Sequence, residues 1–151
     1  MHNFFENVRS ERGKRGFTLV ELLVVIVILA VLAAIVLPKF MDSGKRSKEA
    51  ALKGDLKLLR NAVTLFQTDT GAYPATLADL AATSAPATGY DTAGASINLV
   101  ASTWHGPYVQ EIPADPVSSG AFSYIVAPPN MGTVKSLAAG NAIDGTAFTN
   151  W

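Results

Sequence analysis

The sequence contains no cysteine and only two histidines, and charged residues make up 16% of its 151 residues. Without cysteine there can be no disulfide framework, no cysteine-ligated zinc site and no thiol nucleophile. Twelve basic residues balance twelve acidic ones, so the excess of positive charge that a general nucleic-acid binder needs is absent, and we expect no nucleic-acid partner. Hydrophobic residues make up 49% of the chain, which excludes a largely disordered protein.

One long apolar segment dominates the N-terminal part of the chain. Residues 22–37 are sixteen apolar residues in a row, and extension back to Phe17 adds a single charge, Glu21. This length matches the roughly 20 residues that cross a bilayer core. The segment follows four basic residues, Arg9, Arg12, Lys14 and Arg15. By the positive-inside rule, the N-terminus is then cytoplasmic and the rest of the chain lies across the membrane. Hydropathy alone equally allows a cleavable signal peptide cut near residues 31–33.

The junction between the basic and apolar parts separates these alternatives. It reads Lys14-Arg15-Gly16-Phe17-Thr18-Leu19-Val20-Glu21-Leu22-Leu23. A carboxylate inside an apolar segment is costly, and an ordinary signal peptide does not need one. The junction resembles the processing site of type IV prepilins and type II secretion prepseudopilins. The resemblance implies that a prepilin peptidase removes a cytoplasmic leader, residues 1–16, by cutting between Gly16 and Phe17, and then N-methylates Phe17.

Glu21 falls where this family places its glutamate. A carboxylate buried in an apolar bundle needs a partner. The amino group of Phe17 on a neighbouring subunit is the obvious partner, and we hypothesise that the pair sets the axial register during filament assembly. The simpler alternative is that Glu21 lies in the lipid headgroup region without such a partner.

The helix is expected to continue beyond the apolar segment. Residues 17–38 would form a transmembrane or filament-core part, and Pro38 should kink the helix because it lacks a backbone N–H. Residues 39–70 would form an amphipathic second half with an i,i+4 ion pair between Glu49 and Lys53. Its apolar face consists of five residues that step by four and three positions, Leu52, Leu56, Leu59, Val63 and Phe66.

The remainder, residues 71–151, is expected to form a globular periplasmic head. Gly71 and Pro74 should end the long helix. Residues 76–83 predict one short helix with Thr76 as its N-cap, and residues 84–103 are rich in small residues and predict a variable loop.

Two later segments of the head predict strands. Alternation at residues 122–126 predicts one strand, residues 133–138 are a second candidate, and we expect a small antiparallel β-sheet. The sheet should pack on the amphipathic half of the long helix in an α+β fold of the type IV pilin kind. We expect five aromatic residues to pack in this core rather than to line a binding cleft, Tyr73, Trp104, Tyr108, Phe122 and Tyr124.

Short motifs in the head narrow the resemblance. They are Gly-x-Tyr-Pro at 71–74, Trp-x-Gly-Pro-Tyr at 104–108, Pro-x-Asp-Pro at 113–116 and the final Asn-Trp. In this order they look like the major pseudopilins of type II secretion systems, with which the absence of cysteine agrees. The resemblance implies a structural subunit that polymerises into a pseudopilus and drives protein export across the outer membrane. The alternatives are a cysteine-free type IV pilin or minor pilin for adhesion, motility or DNA uptake, and a membrane-anchored or secreted globular enzyme.

The resemblance also implies the partners and the location. The partners would be further copies of the chain, a prepilin peptidase, an inner-membrane platform with its cytoplasmic ATPase, minor pseudopilins, and lipid before assembly. The protein would cross the bacterial inner membrane once, and the assembled filament would lie in the periplasm or at the cell surface.

A calcium site is a further property that the resemblance implies, because major pseudopilins often hold Ca²⁺ in a C-terminal loop. Residues 127–151 contain a single acidic residue, Asp144, whereas calcium takes six to eight oxygen ligands. Asp144, Asn141 and Asp115 are therefore only weak candidates, and an ordinary Asp-Gly turn is the simpler interpretation. No other cofactor is expected. No catalytic motif is present, and His105 is most simply a loop residue.

Charge is segregated along the chain. Residues 39–60 carry seven basic and three acidic residues, whereas residues 61–151 carry one basic and six acidic residues. The basic helix could lie near anionic lipid headgroups. Alternatively, basic stems could meet acidic heads of neighbouring subunits in a filament.

Overall fold

A computed structural model of the protein describes residues 16–151. The leader expected at residues 1–16 lies outside the described residues apart from Gly16. The chain divides into two compact units, the first ending at Met41 and the second spanning Asp42–Trp151. One α-helix, α1 at Leu19–Thr70, is followed by short strands and 3-10 turns. The α+β fold with a long N-terminal helix is therefore confirmed.

In the first unit, α1 exposes its apolar side chains. Every large apolar side chain from Leu19 to Leu37 is between 42% and 81% exposed. By length and composition, α1 is the one helix among residues 16–151 that could cross a membrane. Pro38 lies inside α1 and does not end it, and the kink expected there stays a prediction.

In the second unit, α1 buries the face that its periodicity predicts. The five residues of that face are between 0% and 3% exposed, Leu52, Leu56, Leu59, Val63 and Phe66. The spacing of three and four residues places them on one side of a helix with 3.6 residues per turn, so one stripe can enter a core.

The helix ends as expected at Thr70. Gly71 follows with φ +74°, a left-handed conformation that glycine adopts without a Cβ penalty. Its N–H donates to the carbonyl oxygen of Gln67 at 2.8 Å, which satisfies one of the last helical acceptors.

The short helix predicted at residues 76–83 is a 3-10 helix at Leu77–Ala81. The Asp79 carboxylate accepts the Thr76 N–H at 2.7 Å, so the predicted start of the helix is correct. Leu77 and Leu80 are both buried. Their spacing of three residues matches the 3-10 period, so both side chains lie on the same side of the turn.

The segment 84–103, predicted to be a loop, contains two strands. β1 at Tyr73–Pro74, β2 at Thr88–Tyr90 and β3 at Ser96–Asn98 form a three-stranded antiparallel sheet in the order β1-β2-β3.

The contacts that form this sheet explain why the sequence pattern missed it. Asp91 closes the β2–β3 hairpin, because its Oδ1 accepts the N–H groups of Ala93 and Ala95 at 2.9 and 2.8 Å. A Cβ on Gly89 would lie 2.7 Å from the Tyr73 carbonyl oxygen, so β1 and β2 pair only with glycine at this position. Such contacts leave no hydrophobic alternation in the sequence.

A second antiparallel sheet pairs β4 at Ser123–Ile125 with β5 at Thr133–Lys135. The strands predicted at 122–126 and 133–138 are thus present but shorter. Arg60 on α1 joins this sheet to the helix, since its Nε and Nη2 both donate to the Val134 carbonyl oxygen, at 3.1 and 2.8 Å.

The aromatic residues belong to the core, as predicted. Phe122 is buried, and the Phe66 and Tyr108 rings lie 5.5 Å apart between centroids. The other predicted aromatics pack against the same core, Tyr73, Trp104 and Tyr124.

Candidate processing and assembly site

The peptide bond between Gly16 and Phe17 lies ahead of α1 in a segment without regular structure. Phe17 is 86% exposed, and no atom of residues 16–151 beyond the chain neighbours lies within 4 Å of where a Gly16 Cβ would stand. A bond that is exposed, non-helical and flanked by glycine can enter a peptidase cleft in an extended conformation. This geometry suits the predicted cleavage, which stays a prediction.

Thr18 and Glu21 together cap the N-terminus of α1. The Glu21 N–H donates to Thr18 Oγ1 at 3.2 Å, and the Thr18 N–H donates to Glu21 Oε2 at 2.9 Å. The Thr18 hydroxyl donates to the same Oε2 at 3.0 Å. This reciprocal arrangement is a capping box, which satisfies backbone donors that have no partner inside the helix. Its sequence signal is Thr18-x-x-Glu21 directly ahead of the apolar segment, a feature not among the predictions made above.

The capping box uses one carboxylate oxygen of Glu21 and leaves the other available. Within residues 16–151, Glu21 Oε2 accepts both Thr18 bonds, and Oε1 accepts none. The side chain is exposed at the start of the apolar segment. An external cation could therefore approach Oε1 without breaking the cap.

Asp115, one of the weak calcium candidates, is fully buried. The Val117 and Ser118 N–H groups donate to its Oδ1 at 2.8 and 3.1 Å, and the Ser136 hydroxyl donates to Oδ2. Burial alone would raise the pKa of Asp115, but these hydrogen bonds outweigh it and hold the pKa below its ordinary value. Asp115 therefore acts as an internal acceptor that joins its own turn to the residue after β5.

Asp144 and Asn141, the other two calcium candidates, lie in an exposed C-terminal loop. Asn141 forms a β-bridge with Ala147 at the base of the loop. The Thr146 hydroxyl and N–H donate to Asp144 Oδ1 at 2.6 and 2.9 Å and hold the pKa of Asp144 below its ordinary value. The Trp151 Nε1–H donates to the Thr146 hydroxyl oxygen at 2.8 Å. Asp144 thus forms the predicted Asp-Gly turn.

The three candidates do not fit a calcium site. Asp115 is buried with both oxygens hydrogen-bonded, whereas Asp144 is exposed and accepts two bonds from Thr146. Residues 16–151 contain no group of three histidine, aspartate or glutamate side chains that could hold a metal ion. A cation at Asp115 would have to displace three internal donors.

Two residues of α1 hold the C-terminal loop instead. Glu49 Oε1 accepts the Ile143 N–H at 2.7 Å. The Lys53 ammonium nitrogen lies 4.3 Å from the centroid of the Trp151 ring, a cation–π contact. The prediction of an ion pair between Glu49 and Lys53 is therefore wrong, because both side chains contact the C-terminal loop instead of each other.

His105 lies in a loop, as predicted, and is exposed. Its side chain is 70% exposed, and Nδ1 lies 3.6 Å from Asp69 Oδ2. The Tyr108 hydroxyl donates to the same Asp69 oxygen at 2.9 Å and accepts the His105 N–H at 3.2 Å. This network ties the loop that carries the Trp-x-Gly-Pro-Tyr motif to the end of α1.

Together these features define a class. An exposed apolar helix behind an accessible Gly16–Phe17 bond, followed by an amphipathic helix packed on small antiparallel sheets, is the organisation of a pilin-like subunit with an N-terminal membrane anchor.

Comparison with known families identifies the particular member of that class. The model described as "Prokaryotic N-terminal methylation motif" matches residues 12–37, and the model described as "Type II secretion system (T2SS), protein G" matches residues 39–147. The chain belongs to the type II secretion system protein G family. The predicted resemblance to the pseudopilins of type II secretion is thereby confirmed, and the family is one of structural subunits.

Several curated relatives carry the name "Type II secretion system core protein G". The Pseudomonas aeruginosa protein is 36% identical over 106 residues, which are 70% of this chain and 69% of the relative. The Escherichia coli K12 protein is 34% identical over 134 residues, 83% of this chain and 90% of the relative. The Klebsiella pneumoniae protein is 32% identical over 108 residues, 70% of this chain and 71% of the relative. No solved structure matches the chain significantly.

Proposed function

We propose that this protein is a structural subunit that polymerises into the pseudopilus of a type II secretion system and so drives protein export across the outer membrane. One observation carries the proposal. The large apolar side chains from Leu19 to Leu37 are all exposed, so nothing in the described chain covers them. Exposure of so much apolar surface to water is unfavourable. Lipid covers this surface before assembly, and the helices of other copies cover it in the filament.

Processing by a prepilin peptidase prepares the subunit for this role. The enzyme cuts between Gly16 and Phe17 and N-methylates Phe17, and the methylation motif at residues 12–37 supports this step. The cut discards the leader and leaves the apolar segment at the start of the mature chain. The leader contains four basic residues, Arg9, Arg12, Lys14 and Arg15.

Before assembly, the subunit crosses the inner membrane once. The basic leader favours a cytoplasmic N-terminus, and the head then lies in the periplasm. Phe17 to Pro38 is the membrane-spanning part, and residues 71–151 form the head at the end of α1. The assembled filament lies in the periplasm or reaches the cell surface.

Glu21 and Phe17 set the register during assembly. In the membrane, the capping box supplies hydrogen bonds to Glu21 Oε2. In the filament, the methylated amine of Phe17 on a neighbouring copy stays cationic and binds Oε1, which pairs a carboxylate that would otherwise be buried alone. The pair forms only when two helices are in one axial position, so it selects that position.

The assembly partners follow from the family. An inner-membrane platform and its cytoplasmic ATPase drive subunits from the membrane into the filament, and minor pseudopilins join it. No nucleic acid takes part. The head is held without calcium, because hydrogen bonds from Ser136, Val117 and Ser118 satisfy Asp115, and Glu49 and Lys53 hold the C-terminal loop.

Deletion of the gene tests this function against its alternatives. Exoproteins should accumulate in the periplasm, twitching motility and DNA uptake should be unaffected, and the wild-type gene should restore export. Loss of twitching with normal export would instead favour a type IV pilin. If the deletion strain makes no other protein G and still shows normal export, motility and DNA uptake, both the secretion function and the type IV pilin function are contradicted.

A further inference from the structure

Three basic residues of α1 line one shallow surface pocket. The pocket has a volume of about 320 Å³ and is lined by Lys53, Leu56, Lys57, Arg60, Asn61 and Trp151. Lys53 is held over the Trp151 ring, and Arg60 is held by its two bonds to the Val134 carbonyl oxygen. Lys57 lies between them in sequence and makes no hydrogen bond or ion pair within residues 16–151. We call Lys53, Lys57 and Arg60 the basic patch.

This patch is preorganised for an anion. Two of its cations are already fixed by internal contacts, so binding of a carboxylate would immobilise mainly Lys57. The Arg60 guanidinium has five N–H donors, and those that do not face Val134 stay available. A carboxylate that entered the pocket would meet several positive charges at once.

A carboxylate without an internal partner lies elsewhere on the same unit. Glu111 is exposed and makes no hydrogen bond or ion pair within residues 16–151. It lines a second surface pocket, of about 330 Å³, together with Leu58, which is 47% exposed.

The other five acidic side chains beyond residue 60 accept hydrogen bonds internally, Asp69, Asp79, Asp91, Asp115 and Asp144. Among the acidic side chains beyond residue 60, Glu111 is thus the one that accepts no hydrogen bond within residues 16–151, so both of its oxygens can face an external partner.

The two pockets lie on different sides of α1. At 3.6 residues per turn, Leu58 and Arg60 point about 160° apart around the helix axis. In a closed two-fold dimer, the same face of both copies forms the interface, so both surfaces would have to lie on that one face. The two pockets lie on different sides of α1 and do not meet this condition. They pair head to tail, and such a heterologous contact produces an open helical filament when the rotation does not close.

We propose that Glu111 of one copy binds the basic patch of the next copy along the filament. The inference rests on the proposed function, because it assigns a contact within that filament. The occupant is a second copy of this chain because both surfaces, of opposite charge, lie on the same molecule. A single exposed ion pair contributes little to the free energy of association. Each copy inside the filament, however, makes this contact twice, once through Glu111 and once through its basic patch. The pair also determines which faces of two copies meet.

Cysteine cross-linking tests the contact, and because this chain has no native cysteine, only the introduced cysteines can link two copies of it. Cells that co-produce chains carrying Lys57→Cys and chains carrying Glu111→Cys should give a cross-linked dimer in the filament fraction after a short bifunctional thiol reagent. Chains that carry both substitutions should give a ladder of oligomers. Lys48→Cys with Glu111→Cys is the matched control, because Lys48 is an exposed lysine of α1 outside the patch. It should cross-link at least about tenfold less.

Charge reversal gives a second, independent readout. Glu111→Lys and Lys57→Glu should each lower filament yield about tenfold, because like charges then face each other. The double variant should return to within about twofold of wild type, whereas Lys48→Glu should not rescue Glu111→Lys. Filaments that assemble from the Lys57→Cys and Glu111→Cys chains without forming the 57–111 cross-link would overturn the contact. A double charge-reversal variant no better than the single variants would also overturn it. Failure of the wild-type chain to form filaments at all would instead contradict the proposed function.

Discussion

Thr18 and Glu21 hydrogen-bond to each other in both directions at the first turn of α1. The Glu21 N–H donates to Thr18 Oγ1 at 3.2 Å, and the Thr18 N–H and hydroxyl donate to Glu21 Oε2 at 2.9 and 3.0 Å. The residue proposed to select the axial register therefore also caps its own helix. Each of these two roles depends on a different oxygen of the carboxylate.

Substitutions at the capping box should separate the two roles. Thr18→Val keeps the size of the side chain but removes the cap, which weakens the helix start by about 0.5–2 kcal/mol. We expect it to lower filament yield moderately, whereas Glu21→Ala should abolish assembly because the Phe17 amine loses its partner. Yield of sedimented filaments from normally processed chains is the measurement. Normal assembly by processed Glu21→Ala chains would show that Glu21 does not set the register.

Asp115 should make the stability of the head depend on pH in the acidic range. Its pKa is lower in the folded protein, so ionised Asp115 favours folding. This contribution is complete above the unfolded-state value of about 3.9 and is lost as pH falls through the lower folded-state pKa. Asp115→Asn should lower stability at neutral pH by about 1–3 kcal/mol.

Melting temperatures of the detergent-solubilised full chain between pH 7 and pH 2.5 measure this effect. The Asp115→Asn curve should be flatter than that of wild type at the acidic end. Ser136→Ala removes one donor to Asp115 and should give an intermediate curve. Parallel curves for all three proteins would mean that the buried carboxylate does not contribute.

Calcium should not stabilise this head. The oxygens of Asp115 are already hydrogen-bonded, and residues 16–151 provide no cluster of three metal-binding side chains. We expect the same melting temperature with millimolar Ca²⁺ and with a chelator, since a ligand raises stability only if it binds the folded state. A rise of several degrees in melting temperature with calcium would contradict this prediction. It would mean that main-chain carbonyl oxygens and the C-terminal loop together form a calcium site.

The buried face of α1 should dominate the stability of the second unit. Leu59 is 0% exposed, whereas Leu65 on the same helix is 54% exposed. The two leucines therefore form a matched pair that differs in burial. Leu59→Ala should therefore cost about 2–5 kcal/mol and Leu65→Ala less than about 0.5 kcal/mol. Denaturant unfolding of the solubilised chains measures both. Similar losses for the two variants would mean that Leu59 is not the core residue that its burial indicates.

Local patterns predicted the parts of the fold that depend on local physics. The steps of three and four residues from Leu52 to Phe66 predicted the buried face, and Gly71 predicted the end of α1. The Gly16–Phe17 junction could be recognised because a peptidase reads a short linear segment. The Thr18–Glu21 cap is also a local pattern, Thr-x-x-Glu ahead of an apolar segment, so the sequence contains the signal for it.

Long-range contacts could not be predicted from local patterns. Glu49 contacts Ile143, 94 residues away, instead of the nearby Lys53, and nothing in the spacing indicates this. The strands within residues 84–103 depend on one aspartate that closes a turn and on close backbone approach at Gly89. Both depend on tertiary structure, so a stretch of small polar residues appeared to be a loop.

The mass and N-terminal sequence of the chain in isolated filaments test the central claim most directly. The account predicts a mature chain that begins at N-methylated Phe17 and carries the complete apolar segment. Gly16→Val should block cleavage and leave the full-length precursor in the inner membrane, because the added side chain hinders approach of the peptidase. A soluble periplasmic chain that begins near Ala34, with no filament fraction, would contradict the account.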